Sequence, residues 1–276
     1  MLPTPDTSHV PYSRVYEPAE DSFLLLDTLS SPSETAFLSS RFTTTTSTTK
    51  SPPPPPPPLV VEIGPGSGVV IGFLTAHAQT IFSTREVLAC AVDVNRFACA
   101  ATVTTAAKAV AENAGTAGLF LDAVQGDLGA ALRRGVVDVL VFNPPYVPTE
   151  ELPVPVPPPV PVSAVNVVVD QEGRKKTETT WEDDSHLLAL SYAGGKDGME
   201  TTDRLLDALP GMLSVRGCAY VLLCAQNWPE KVKERMRRLG AAWRAETVGT
   251  SGKQAGWEKL QIVRIWRDIA VAPPAS

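Results

Sequence analysis

Short apolar runs alternate with segments of helical periodicity along most of this chain of 276 residues. The first four apolar runs predict strands at residues 59–63, 87–92, 119–124 and 137–142. The segments that follow the first three strands predict helices at about 68–78 and 96–113, and a short helix near 128–133. Continuous apolar runs are typical of strands buried on both faces, and parallel strands need crossovers between them. The alternation therefore predicts an α/β fold with a doubly wound, mostly parallel sheet.

The carboxyl-terminal part of the chain continues this pattern and ends differently. A helix is predicted at 200–213 and a fifth strand at 218–225. Pro229 is predicted to open another helix, which Gly240 follows. The last two strands, at 242–248 and 260–266, are joined by a glycine-containing loop and are expected to form an antiparallel hairpin. The complete sheet is thus expected to have seven strands.

Two low-complexity segments interrupt the alternation. The segment at about 30–58 carries a threonine and serine run followed by seven prolines, and the segment at about 150–184 begins with alternating proline and valine. Neither shows helical periodicity, so polyproline II or disorder is expected. We interpret 1–276 as one domain with two loop insertions, because loop closure entropy grows slowly with length. A proline-rich docking site is the alternative interpretation.

Composition narrows the function classes. The net charge of −6 disfavours a broad electrostatic contact with nucleic acid. The four cysteines lie in apolar segments without a CxxC pair, which favours buried free thiols over metal ligation; no metal site is expected. No apolar stretch approaches the roughly 18 residues that span a bilayer. Residues 1–12 lack a signal-peptide pattern, and we expect a cytoplasmic protein, with an additional nuclear location left open.

Glycines and acidic residues follow the first three predicted strands. The first strand leads into Glu62-Ile63-Gly64-Pro65-Gly66-Ser67-Gly68, where glycines let the backbone approach a ligand before a helix N-terminus. The second leads into Asp93 and Val94, where the carboxylate could accept both hydroxyls of a ribose. The third leads into Asp127 and Leu128, suited to an adenine amino group and ring. Each feature alone also occurs without a ligand. Together they predict a nucleoside-type cofactor site.

The fourth strand leads into Asn143-Pro144-Pro145-Tyr146. The prolines remove two backbone donors, so the Asn143 side-chain oxygen and the Pro144 carbonyl have no local N–H to bind. Tyr146 supplies a flat face beside them. Two converging acceptors beside an aromatic ring are suited to a planar –NH2 group, and open α/β sheets place their chemistry at this edge. A purely structural turn is the alternative.

These strand-end motifs together resemble those of class I S-adenosylmethionine-dependent methyltransferases that methylate amino groups. Residues 16–27, with the sequence Tyr-Glu-Pro-Ala-Glu-Asp-Ser-Phe-Leu-Leu-Leu-Asp, are similar to the eukaryotic branch of the HemK-like family. That branch methylates the glutamine of the Gly-Gly-Gln motif in the class 1 release factor of translation termination. Residues 193–198 and 253–256 support the resemblance. Tyr192 departs from it, because the family usually has tryptophan there.

The resemblance implies a role for each candidate residue. Contacts with the cofactor S-adenosylmethionine, and with its product S-adenosylhomocysteine, are implied for Tyr16, Glu20, Ser22, Glu62, Gly64, Gly66, Gly68, Asp93, Val94, Asp127, Leu128 and Asn143. The first three would close over its methionine end. Contacts with the substrate carboxamide are implied for Asn143, Pro144 and Tyr146. Ordinary acid placement at a helix N-terminus is the alternative for Glu20.

The resemblance also implies the strand order 3-2-1-4-5-7-6, which leaves the third strand, 119–124, at an edge of the sheet. A small zinc-binding activator protein, shared among several methyltransferases, would cover that edge, giving a heterodimer. Cover by the chain's own loops is the alternative. Two other functions stay open at this point: adenine-N6 methylation of nucleic acid, which the charge disfavours, and non-catalytic partner binding.

Overall fold

A seven-stranded sheet organises the protein. The structure, a computed structural model, describes residues 2–43, 55–153, 168–169, 175–176, 181–252 and 259–269. The strands are β1 Leu59–Ile63, β2 Leu88–Asp93, β3 Leu119–Gln125, β4 Val137–Phe142, β5 Val168–Val169, β6 Lys175–Lys176, β7 Leu213–Cys224, β8 Trp243–Thr250 and β9 Leu260–Arg267. The short strands β5 and β6 pair only with each other, antiparallel, and the other seven form the sheet.

The strand order is β3-β2-β1-β4-β7-β9-β8, which confirms the predicted order 3-2-1-4-5-7-6. Strands β3, β2, β1, β4 and β7 are parallel, whereas β9 runs antiparallel to both β7 and β8. Ile63 pairs with Val92 on one side and with Phe142 on the other. The loops that follow β1, β2 and β4 therefore leave the sheet at the same edge, where sites of this architecture form.

Helices cover both faces of the sheet, as the predicted doubly wound fold requires. They are α1 Glu20–Leu29, α2 Pro32–Phe42, α3 Val69–Ala76, α4 Ala78–Phe82, α5 Arg96–Glu112, α6 Trp181–Tyr192, α7 Glu200–Met212 and α8 Pro229–Arg237. Val139 and Val141 of β4 pack in a core with α1 to α4. Leu140 and Phe142 alternate with them and pack in a second core with α7 and α8. No helix of the described ranges is long and apolar enough to cross a membrane.

Helix α2 corrects the prediction for the first low-complexity segment, because 32–42 are helical. Ser31 caps the helix by accepting a hydrogen bond from the Glu34 N–H, and Pro32 occupies the first turn. The few apolar residues of this segment give the sequence only a weak helical period. Residues 44–54, which hold most of the threonine and serine run and the first prolines, lie outside the described residues.

Three further predictions of secondary structure need correction. The short helix expected near 128–133 is a turn, in which Leu128 has a positive φ of 49°. The helix expected at 68–78 is two helices, α3 and α4, which meet at His77. Helix α6 begins at Trp181, inside the second low-complexity segment. Most of 154–180, and the 253–256 segment that supported the resemblance, lie outside the described residues.

Candidate active site

A cavity of about 430 Å³ lies at the carboxyl edge of the parallel strands. Its volume falls in the range of roughly 300–1,000 Å³ typical of small-molecule sites. The predicted site residues that line it are Tyr16, Ser22, Glu62, Gly64, Gly66, Asp93, Val94, Asp127, Leu128, Asn143, Pro144 and Tyr146. These residues come from an N-terminal segment and from four strand ends, so the fold brings together motifs that lie far apart between Tyr16 and Tyr146.

Glu20 and Gly68 are the two predicted site residues that do not line the cavity. Glu20 is exposed at the start of α1, and the acid that faces the cavity is its neighbour Asp21. Gly68 has a φ of 78°, and a Cβ there would lie 2.6 Å from Thr102 Cα. A side chain at 68 would thus clash with α5, and Glu20 is an exposed acid in the first turn of its helix.

The glycine turn after β1 is held by hydrogen bonds to β2. The Gly64 N–H donates to the Val92 carbonyl over 2.8 Å, and the Gly66 N–H donates to Asp93 Oδ2 over 3.2 Å. Both glycines have positive φ angles, 63° and 54°, which other residues adopt only with strain. The turn therefore brings bare backbone to the cavity wall, as the sequence motif predicts.

Two buried carboxylates stand beside this turn. Glu62 accepts a hydrogen bond from the Ile71 N–H over 2.8 Å, and burial raises its pKa to about 8. Asp93 accepts from the Asn95 N–H over 2.8 Å, and burial raises its pKa to about 6. Desolvation disfavours the charged form of each acid. At pH 7 Asp93 is mostly ionised, so it can accept hydrogen bonds from ligand hydroxyls.

Asp127 and Leu128 form the opposite part of the cavity wall. Asp127 is paired with Arg204 of α7, and Arg204 also lines the cavity. The pair orients the Asp127 carboxylate from the side of α7. Sequence reasoning missed Arg204, because nothing in the helical spacing of α7 distinguishes it from an ordinary solvent-exposed arginine.

The Asn143 side chain has one end bound and one end free. Its Nδ2 donates to Asp21 Oδ2 over 3.0 Å. Its Oδ1 is buried and has no hydrogen-bond partner within the described residues. No hydrogen bond of the described chain reaches the Pro144 carbonyl either. Buried acceptors are normally satisfied, and an exception needs an explanation. Two neighbouring acceptors without donors fit a ligand –NH2 group.

The loop that carries these acceptors is held from the opposite side by Asn227. Its Nδ2 lies 3.3 Å from the Tyr146 carbonyl and 3.2 Å from the Asp197 carbonyl, and its Oδ1 accepts from the Cys224 N–H. Gly198 fits closely, since a Cβ there would lie 2.0 Å from the Tyr146 oxygen. Sequence reasoning missed Asn227, which lies in the short turn after β7, whereas Asp93 is at the end of its strand.

Comparison with known proteins identifies relatives that match nearly the whole chain. The chain is 32% identical over 269 residues to methyltransferase HEMK2 of Mus musculus, covering 95% of this chain and 96% of that protein. It is 29% identical over 270 residues to the eRF1 methyltransferase catalytic subunit mtq2 of Schizosaccharomyces pombe, covering 97% and 96%. No family model matches the chain.

Among solved structures, a chain of the Mtq2–Trm112 complex of E. cuniculi is similar to this protein with a TM-score of 0.51 and 20% identity. The match covers 92% of this chain and 99% of that chain. That complex is described as responsible for methylation of the translation termination factor eRF1. At this level of identity the similarity shows a shared fold.

Proposed function

Because the chain belongs to the methyltransferase family of HEMK2 and mtq2, we propose that it methylates the side-chain nitrogen of a protein glutamine. The substrate is the glutamine of the Gly-Gly-Gln motif in the release factor eRF1, on which the relative from S. pombe acts according to its name. One observation carries the proposal. The buried Asn143 Oδ1 lacks a donor within the described residues, and the carbonyl of the next residue, Pro144, accepts no hydrogen bond there either, so both are open to a carboxamide –NH2.

The proposed cofactor is S-adenosylmethionine, with S-adenosylhomocysteine as the product. When bound, it supplies a methyl group that its sulfonium has already activated. Asp93 would hold the ribose hydroxyls, and Asp127 with Leu128 the adenine end. Tyr16 and Ser22 would contact the methionine end, near the glycine turn. The position of all five residues around a single cavity of suitable volume supports this assignment.

The acceptors of the Asn143 loop would supply most of the catalysis. An amide nitrogen is a poor nucleophile, because its lone pair is delocalised into the carbonyl. Asn143 Oδ1 and the Pro144 carbonyl would hold both N–H protons and so direct the lone pair at the methyl group. The same acceptors stabilise the positive charge that develops on nitrogen until one proton leaves to solvent. Tyr146 would pack against the carboxamide plane.

We infer that a small zinc-binding activator, of the Trm112 kind found with the E. cuniculi relative, binds edge strand β3. Leu119, Leu121 and Val124 of this strand are 57%, 51% and 44% exposed, although they are apolar. An open apolar edge favours pairing with another chain. The catalytic chain and its activator would then form a heterodimer.

The proposed substrate can be tested by offering labelled S-adenosylmethionine to the enzyme, purified with a Trm112-type activator. Intact eRF1, eRF1 with its Gly-Gly-Gln glutamine changed to alanine, and adenine-containing oligonucleotides are compared in parallel. We expect label in intact eRF1 alone, because the net charge of −6 disfavours nucleic acid. Label in the oligonucleotides would indicate adenine methylation instead, and equal label in the alanine variant would exclude this glutamine.

A further inference from the structure

Asp21 is a buried acid whose position in the site has no role in the chemistry described so far. It is the second residue of α1 and is 3% exposed. Its Oδ2 accepts from Asn143 Nδ2 over 3.0 Å, across 122 residues of sequence. Its Oδ1 lies 2.6 Å from the Ser22 N–H and 3.3 Å from Ser22 Oγ. The carboxylate therefore bonds Asn143 and its own neighbour, and it lines the cavity.

The carboxylate determines which end of the Asn143 amide is available. An ionised carboxylate only accepts hydrogen bonds, whereas an asparagine amide can turn either its NH2 or its oxygen toward a partner. With Asp21 in place, a flipped amide would bring two acceptors together, which is unfavourable. Asn143 Nδ2 therefore faces Asp21, and Oδ1 is left as the end without a partner. Oδ1 is the atom that the proposed reaction needs.

Helix α1 gives Asp21 a rigid base. Its buried residues Leu25 and Leu29 pack in the core on one face of the sheet. Thr28 packs tightly on β8, since a Cβ at Gly249 would lie 2.1 Å from Thr28 Oγ1. A site is held most accurately when its supporting groups lie on packed elements. The position of Asp21 is thus set by the core of the protein.

We propose that Asp21 is the positioning residue of the methyl-transfer site. It fixes the Asn143 amide in the orientation that accepts from the substrate, and its charge increases the electron density on Oδ1. This inference rests on the proposed function, since it gives Oδ1 a carboxamide to bind. It also explains why an acid at this place in the chain must be buried, whereas Glu20 and Asp27 of the same helix are exposed.

The test is a double-mutant cycle of Asp21→Asn and Asn143→Ala, measured as kcat for eRF1 methylation and as affinity for S-adenosylhomocysteine. Asp21→Asn should lower kcat by about 10- to 100-fold, the effect of one hydrogen bond to a charged group. Cofactor affinity should change much less. Added to Asn143→Ala, the same substitution should have little further effect, because Asp21 acts through Asn143. The matched control Asp27→Asn changes an exposed acid of the same helix and should leave kcat unchanged.

Three results would overturn the inference. The first is a wild-type kcat in Asp21→Asn. The second is an equal decrease of kcat when Asp21→Asn is introduced into wild type and into Asn143→Ala. The third is a loss of S-adenosylhomocysteine affinity in Asp21→Asn that is large enough to explain the lower rate. Circular dichroism verifies that each variant folds. If Asp21→Asn does not fold, Asp21→Ser takes its place, because the smaller side chain leaves room for a water. Failure of the proposed function is a separate result, because wild-type enzyme would then not methylate eRF1 at all.

Discussion

At the residue level, Asp93 links ligand binding to pH. Burial raises its pKa from 3.8 to about 6, so between these values the folded protein holds a proton that the unfolded chain releases. The free energy of unfolding of the ligand-free protein therefore falls as pH rises from 3.8 toward 6. Ligand hydroxyls favour the ionised carboxylate, so their binding should have the opposite pH dependence.

We predict that the affinity for S-adenosylhomocysteine rises by up to about tenfold between pH 5 and pH 7, as Asp93 ionises. Glu62 stays mostly protonated over this interval, because burial raises its pKa to about 8. Isothermal titration calorimetry at several pH values measures the effect. The control variant Asp93→Asn cannot ionise and should bind more weakly without this pH dependence. Equal affinity of the wild-type protein at the two pH values would refute the role of Asp93.

Most of the residues that motif spacing singled out line the cavity, because strand ends and glycine turns are local features. Gly64, Gly66, Asp93 and Asn143 all line the cavity as expected. Motif spacing did not indicate that Asp21, rather than Glu20, would line the cavity. Adjacent helical positions point about 100° apart, and the packing of α1 on the sheet decides which one is buried.

At the level of elements, α2 shows why one helix escaped prediction. Glu34 of α2 is buried and pairs with Arg264 of β9 at 2.7 and 2.8 Å, across 230 residues of sequence. The Tyr220 hydroxyl also donates to Glu34 over 2.8 Å. These contacts fix α2 on the sheet, yet they depend on residues far away in sequence. The Ser31 cap and Pro32 are local signals for the start of α2, whereas the contacts that hold it in place are not encoded in its own sequence.

The exposed edge strand β3 gives a second prediction for an element. Leu121→Lys places a charge on the apolar edge and should weaken binding of the activator while making the isolated chain less prone to aggregate. Copurification with a Trm112-type protein and light scattering measure the two effects. Leu239→Lys is the matched control, because Leu239 is 47% exposed and lies beyond α8, outside the sheet. If Leu121→Lys and the control copurify with the activator as well as wild type, another surface binds it.

At the level of the whole molecule, the alternation of strands and helices predicted the fold class, and the family resemblance supplied the strand order, which the sheet confirms. Buried parallel strands have continuous apolar sequences, and right-handed crossovers between them restrict the possible strand orders. Corrections to secondary structure concern 32–42, 128–133, the two helices that meet at His77, and the start of α6 at Trp181. The site itself needs the whole domain, since Asp21 and Asn143 meet only when α1 packs beside the sheet.

The most direct test of the central claim is to map the methyl group that wild-type enzyme and Asn143→Ala, each with activator, place on eRF1. Tandem mass spectrometry should locate one methyl on the side-chain nitrogen of the Gly-Gly-Gln glutamine. Asn143→Ala should form the same product about 10²- to 10³-fold more slowly, because it removes a preorganised polar group. Its affinity for S-adenosylhomocysteine should change far less. A methyl group on another residue, or a wild-type rate in the folded Asn143→Ala variant, would contradict the account.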